Sequence, residues 1–158
     1  MRSRPTSGWA TAVASVGYIG FFPVAPGTVA SAVAALAYWL VDPLQQVAVL
    51  ALAAVAAFVV GGVATGAVLR GGGPKDPSHV VCDEVAGQWI ALLTLAHGGR
   101  WEFILLAFLL FRLFDVWKPQ PVAFFDRRPG AWYVMMDDVA AAVYANAATH
   151  LCLFLAWA

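Results

Sequence analysis

The stretch PLQQVAVLALAAVAAFVVGGVATGAVL, residues 43–69, contains no charged residue between Asp42 and Arg70. A helix needs about 20 predominantly apolar residues to cross a bilayer, so this stretch is long enough to span one. The whole chain is similarly apolar, with 62% hydrophobic and 11% charged residues. Soluble domains carry about 25% charged residues. The sequence therefore predicts an integral membrane protein.

Further apolar segments predict more helices around this one. Val139–Ala158 is a second charge-free stretch of spanning length, and Thr28–Val41 predicts a shorter apolar helix. Val85–Ala96 and Trp101–Trp117 predict an antiparallel helix pair. Trp9–Phe22 is interrupted by glycines and predicts an interfacial or re-entrant helix. The expected fold is an all-α, multi-helical integral membrane bundle. It has about five membrane helices plus the N-terminal helix, in one domain covering residues 1–158.

Basic residues fall almost entirely on one side of the predicted bundle. With a cytoplasmic N-terminus, only Arg100 lies outside, in the short turn that begins at His97. Basic residues collect in short cytoplasmic loops, so this bias predicts the orientation of a multi-pass protein in the cytoplasmic membrane. The predicted inner side carries Arg2, Arg4, Arg70, Lys75, Arg112, Lys118, Arg127 and Arg128.

Two acidic pairs, Asp83-Glu84 and Asp137-Asp138, directly precede predicted helices on the same cytoplasmic side. Carboxylates at a helix start can be ordinary caps that satisfy free N–H groups and the helix dipole. Two adjacent acids at each of two helix starts exceed what capping requires. Clustered carboxylates without thiolate or imidazole partners favour a hard cation such as Mg²⁺. All four acids are therefore candidate metal ligands and catalytic residues.

Basic residues near these acids are candidates for binding phosphate. Arg112 and Asp115 are three residues apart and share a helix face, and Lys118 lies nearly one turn further on. A simple ion pair at the membrane surface would also explain why Arg112 and Asp115 share a face. Arg127 lies between this stripe and Asp137, which makes it a further candidate. Thr28 is a predicted N-cap, and a helix start of this kind can bind phosphate oxygens.

Other functions are disfavoured by composition and motif. The formal net charge is zero, which argues against nucleic acid as a partner. Cys82 and Cys152 are expected at different membrane depths, so no structural disulfide is predicted. The sequence has no arginine six residues after Cys82, as a cysteine phosphatase needs, and no glycine-rich nucleotide loop.

Several of these residues together resemble the phosphatidylglycerophosphatase A family. The resemblance covers about residues 17–147. Its most specific part is the run DVWKPQP, residues 115–121, combined with the Asp-Asp pair near the start of the last helix. It also includes Pro26-Gly27-Thr28, Asp83-Glu84, Phe111-Arg112 and Phe125-Asp126-Arg127.

The resemblance implies a Mg²⁺-dependent phosphatase of the bacterial inner membrane, with a site facing the cytoplasm. Such an enzyme hydrolyses phosphatidylglycerophosphate to phosphatidylglycerol and phosphate in phospholipid biosynthesis. On this hypothesis Asp83, Glu84, Asp137 and Asp138 bind one or two Mg²⁺ ions, and Asp115 is a further ligand or orienting group. The basic residues Arg112, Lys118 and Arg127 then steady the phosphate.

Two alternatives remain open at this point. An aspartate could act as a nucleophile and form an aspartyl-phosphate instead of activating water through the metal. The acids could also serve a small membrane transport protein as a cation path, or a structural protein as caps. The membrane-embedded parts of the predicted helices lack charged residues, which weighs against a transport path.

Overall fold

The structure is a computed structural model that describes residues 8–72, 74, 76–95 and 100–157. These residues form α-helices and short 3-10 segments without any strand, which confirms the all-α prediction. The seven helices are α1 (Gly8–Ala14), α2 (Pro26–Leu40), α3 (Val47–Leu69), α4 (Cys82–Ala91), α5 (Trp101–Trp117), α6 (Val122–Asp126) and α7 (Ala131–Trp157).

Two of these helices, α3 and α7, are long and apolar enough to cross a membrane. Only 28% of the most apolar window of each is buried within the protein, whereas the core helix of a soluble protein would be mostly buried. On α3, Leu52 and Val55 are 70% and 60% exposed. Such surfaces are stable against lipid and costly in water, so both helices indicate a membrane protein.

The other three predicted membrane segments form shorter helices, and five membrane helices are not confirmed. Helices α2, α4 and α5 contain 15, 10 and 17 residues, against about 20 for a span. The predicted segment Val85–Ala96 is displaced, because α4 already begins at Cys82 and ends at Ala91. Residues 96–99, with the turn predicted at His97, lie outside the described part of the chain. The number of spanning helices stays a prediction.

The N-terminal stretch, predicted as one helix over Trp9–Phe22, is divided in two. Helix α1 ends at Ala14, and a 3-10 turn covers Ile19–Phe21. Between them Val16, Gly17 and Tyr18 all have positive φ values, which ends the helix. Fully buried alanines attach α1 to α3. An interfacial or re-entrant position for this segment stays a prediction.

Helix α4 lies at the centre of the bundle and contacts α2, α3, α5 and α7. The Asn146 side-chain amide of α7 donates hydrogen bonds to the Ile90 and Ala91 carbonyls at the end of α4, both at 3.2 Å. These hydrogen bonds hold the middle of α7 against the end of α4. Along α7, Met135 lies beside Cys82 at the start of α4, Asp138 beside Gly87 and Asn146 beside its end. The two helices therefore run in the same direction, and the N-terminal turns of α7 lie beside the start of α4.

Two predicted helix starts were wrong. Helix α7 begins at Ala131, directly after Gly130 with φ 129°, so Asp137 and Asp138 lie in its second turn rather than before it. Helix α2 begins at Pro26 with Ala25 at the N-cap, so Thr28 lies inside the first turn and is not the cap. Proline favours the first helical position, because its N–H would have no helical partner there.

Gly20 lies against the backbone of the loop before α4, and we expect Gly20→Ala to destabilise the fold. A Cβ at this position would lie 2.0 Å from the His79 carbonyl oxygen, which cannot rotate away as a side chain could. Overpacking of this kind costs about 1–3 kcal/mol. The thermal unfolding midpoint in detergent measures it, with Gly8→Ala as control because a Cβ there meets no atom within 4 Å. An unchanged midpoint for Gly20→Ala would contradict this packing.

Candidate active site

A cleft of about 340 Å³ opens where the starts of α2 and α4, the end of α5 and the second turn of α7 converge. Both polar and apolar atoms line it. Eight of the nine predicted site residues are in its lining: Thr28, Asp83, Glu84, Arg112, Asp115, Lys118, Asp137 and Asp138. The ninth, Arg127, is exposed just beyond α6 and does not line the cleft, so its contact with phosphate stays a prediction.

The carboxylates in the cleft form two groups that share one residue. Oxygen atoms of Asp83, Glu84 and Asp138 lie within 4.8 Å of one another, as do those of Asp115, Asp137 and Asp138. Asp138 therefore lies between an acidic pair from α4 and an acidic pair from α5 and α7. It is only 3% exposed, and Asp83 is 7% exposed.

Helix capping does not explain these acids. Asp137 and Asp138 lie inside α7 and cannot cap its first N–H groups. Asp83 and Glu84 lie in the first turn of α4, where negative charge is favourable, but the N-cap residue is Val81 and makes no side-chain cap hydrogen bond. The position of both pairs around one cleft calls for a different explanation.

Two basic residues neutralise part of this charge. The Lys118 ammonium contacts Asp126 at 2.6 Å and Asp137 at 3.0 Å. Arg112 contacts Asp115 at 3.0 Å, which confirms that the pair shares a helix face, and it reaches the Ser31 hydroxyl at 3.5 Å. Both cations border the cleft, where a phosphate group could contact them.

Burial and like charges act strongly on the acidic pair of α4. Burial raises the pKa of Asp83 well above its ordinary value, and the Glu84 and Asp76 carboxylates raise it further. Burial likewise raises the pKa of Glu84 to about 8, with Asp138 adding to the increase and Arg112 opposing it. Burial also raises the pKa of the Cys82 thiol to about 12, which makes this cysteine a poor nucleophile.

The cleft has the chemistry of a cation site. Six carboxylates line it against the two basic groups of Arg112 and Lys118. Glu84 Oε2 and Asp138 Oδ2 are buried without a hydrogen-bond partner among the described residues. Leaving such oxygens unpaired is costly, and oxygen donors suit hard divalent cations. The three carboxylates of each group could hold one such ion, and Asp138 could be a ligand in both groups.

Four further residues line or support the cleft and were not among the predicted site residues. Asp76 and Ser78, in the loop before α4, line its mouth, and only Asp76 had a signal, its place seven residues before Asp83. Ser31 donates to the Gly27 carbonyl and contacts Arg112. Gly27 itself lies so close to Glu84 that a Cβ would stand 1.9 Å from Oε1.

Comparison with known proteins places this chain in a family. The model of the phosphatidylglycerophosphatase A family matches residues 12–153. The chain belongs to the phosphatidylglycerophosphatase A family. This confirms the resemblance found in the sequence, and membership makes the protein a phosphatase.

Individual relatives agree with this family. Phosphatidylglycerophosphatase A of Escherichia coli is 31% identical over 125 residues, covering 78% of this chain and 72% of that protein. The Haemophilus influenzae protein of the same name is 42% identical over 74 residues, covering 46% and 45%. A Bacteroides thetaiotaomicron protein named "Putative phosphatidylinositol-3-phosphatase" is 38% identical over 129 residues, covering 79% and 81%. No solved structure matches the chain.

The contact between Gly27 and Glu84 predicts that Gly27→Ala lowers phosphatase activity more than stability. A Cβ at this position must displace the Glu84 carboxylate, which is the far end of a flexible side chain. We expect the turnover number to fall about tenfold or more, because catalytic groups tolerate displacements of about 1 Å poorly. Phosphate release and the thermal unfolding midpoint are measured together.

Gly66→Ala is the matched control, since a Cβ at Gly66 makes only ordinary contacts, the shortest at 3.6 Å. Unchanged turnover in Gly27→Ala would show that the position of Glu84 does not matter for catalysis.

Proposed function

We propose that this protein hydrolyses phosphatidylglycerophosphate to phosphatidylglycerol and phosphate, in a Mg²⁺-dependent reaction within phospholipid biosynthesis. The observation that carries the proposal is the cleft in which two carboxylate groups share Asp138 and border Arg112 and Lys118. Family membership supplies the reaction class. It also speaks against the alternatives of a transport protein or a purely structural protein.

Four carboxylates are the proposed Mg²⁺ ligands: Asp83 and Glu84 from α4, and Asp137 and Asp138 from α7. Asp115 completes the second group and either binds the ion or orients Asp137. When bound, Mg²⁺ neutralises charge on the phosphoryl oxygens and lowers the pKa of water near the phosphorus. The repulsion among the buried acids favours such an ion, because a divalent cation replaces like-charge contacts with attractive ones.

Arg112 and Lys118 are the proposed phosphate-binding groups. Arg112 is held by Asp115 and Ser31, which fixes the guanidinium at the border of the cleft. Lys118 adopts a left-handed backbone conformation with φ 53° at the end of α5, and this directs its side chain between Asp126 and Asp137. Burial alone would lower the Lys118 pKa, but the hydrogen bond to Asp126 and the charge of Asp137 raise it, so the amine stays protonated.

The proposed location is the bacterial inner membrane, with several spanning helices and the cleft facing the cytoplasm. The two long apolar helices support membrane insertion. The end of α3 and the end of α5, which lie on the side of the cleft, are followed by Arg70 and Lys118. Basic residues at one end of the helices are typical of the cytoplasmic side.

A second substrate has support from one relative. The Bacteroides thetaiotaomicron protein carries the name "Putative phosphatidylinositol-3-phosphatase". Both lipids present a phosphate monoester, which the carboxylates and the two cations of the cleft would bind in the same way. The two substrates must therefore be compared directly.

The central experiment measures phosphate release by the purified protein in detergent from each of the two lipids, with Mg²⁺ and with excess chelator. We expect hydrolysis of phosphatidylglycerophosphate with Mg²⁺ and none with chelator, because the acids alone repel the phosphate. Faster hydrolysis of phosphatidylinositol-3-phosphate would assign the second substrate. Full activity in chelator would exclude the metal mechanism.

Asp138 belongs to both carboxylate groups, so Asp138→Asn should have a large effect. We expect turnover to fall about 100-fold or more, since metal-ion stabilisation contributes several kcal/mol to such reactions. The unfolding midpoint without Mg²⁺ should not fall, because the substitution removes one of several crowded negative charges. Glu102→Gln, an acid at the opposite end of α5, is the control and should leave turnover unchanged. Normal turnover in Asp138→Asn would overturn the assignment of the cleft.

A further inference from the structure

An apolar groove of about 380 Å³ runs along the outside of the bundle between α2 and α5. Small side chains of α2 form its floor and larger side chains of α5 form its other wall. Leu36 and Leu105 are 49% and 47% exposed, so the groove is open to the exterior. Its main lining residues are Ala32, Ala35, Leu36, Ile104, Leu105 and Phe108.

The groove begins where the polar cleft ends, because the same faces of two helices form both. On α2, Thr28 lines the cleft, and Ala32 and Leu36 follow at intervals of four residues in the groove. On α5, Arg112 borders the cleft, and Phe108 lies four residues before it in the groove. Residues four apart on a helix share a face, so each stripe passes continuously from polar to apolar.

Two other apolar grooves lie on the bundle, and the packing of α4 separates one of them from the cleft. One lies between α1, α3 and α4, and the other between α3, α4 and α7. The second is separated from the cleft by the close packing of α4 on α7 and α5. A Cβ at Gly87 of α4 would lie 3.1 Å from the Asp138 carbonyl and 2.7 Å from the Phe111 ring. No space for a chain is left there.

The geometry points to the α2–α5 groove as the binding site for one acyl chain of the lipid whose phosphate occupies the cleft. This inference rests on the proposed function, since it assumes a lipid phosphate monoester as substrate. Such a molecule has a charged end and an apolar end joined within a few ångströms, which matches the change of polarity along α2 and α5.

The length and exposure of the groove fit this occupant. From Ala32 to Trp39 the groove follows two turns of α2, or about 10 Å. The far end is formed by Trp39 and Trp101, which are 53% and 61% exposed. Exposed tryptophans are typical of the membrane interface, so an acyl chain in the groove would extend through the bilayer interior.

The inference is tested by filling the groove with Ala32→Trp, at an exposed position that leaves the buried core intact. Two substrates are compared: long-chain phosphatidylglycerophosphate in detergent, and its water-soluble deacylated headgroup. We expect KM for the long-chain substrate to rise about tenfold, the effect of losing contacts with about two methylene groups. Hydrolysis of the deacylated headgroup should not change, because it does not reach the groove.

Ala56→Trp is the matched control, because Ala56 is exposed on α3 and lies outside the groove. It should leave both substrates unaffected. Equal losses on both substrates in Ala32→Trp would overturn the inference, and so would no loss on either. A change in oligomeric state measured by light scattering, accompanying losses on both, would instead assign the groove to contact between copies of the chain.

A second measurement on the wild-type protein does not depend on how a variant folds. A phosphatidylglycerophosphate analogue with a diazirine in one acyl chain is photolysed in the presence of the protein, and the labelled peptides are identified. We expect label on α2 and α5 around Leu36 and Leu105. Label confined to α3, around Val55 and Phe58, would overturn the inference. If the wild-type protein did not hydrolyse the lipid at all, the proposed function would fail first, independently of the groove.

Discussion

The crowding of buried carboxylates around Asp138 is the constraint on which the site depends. Each buried ion loses hydration worth several kcal/mol, and like charges add repulsion unless an opposite charge compensates them. Lys118 and Arg112 compensate only part of the charge of the six acids in the cleft. A bound cation could satisfy the remainder, because the acids of α4, α5 and α7 converge at this point.

Small residues make that convergence possible. At Gly27 the backbone of α2 reaches Glu84, and at Gly87 the backbone of α4 reaches Asp138 and Phe111. A side chain at either position would hold the helices apart and widen the distance between the acids. Close packing through small residues is typical of membrane helices, where apolar burial gives little driving force. Here it also sets the spacing of the charged groups.

The sequence predicted the composition of the cleft better than its architecture. The acidic pairs and the Arg112–Asp115 pair could be predicted because their spacing is local. The predicted start of α7 was wrong because the helix was placed on the charge-free stretch that begins after Asp137-Asp138, although Pro129 and Gly130 mark the true boundary. Ser31 could not be assigned from the sequence alone, since its role depends on the contact of α2 with α5.

On the proposed function, the carboxylates and the two cations of the cleft bind the phosphate monoester, which glycerol and inositol lipids share. Recognition of the alcohol then needs other groups. Asp76 and Ser78, exposed in the loop before α4 where it lines the cleft, are candidates for that contact. This loop packs against Gly20 through His79, so the N-terminal segment helps to position Asp76 and Ser78. Relatives with the same acids could thus act on different headgroups.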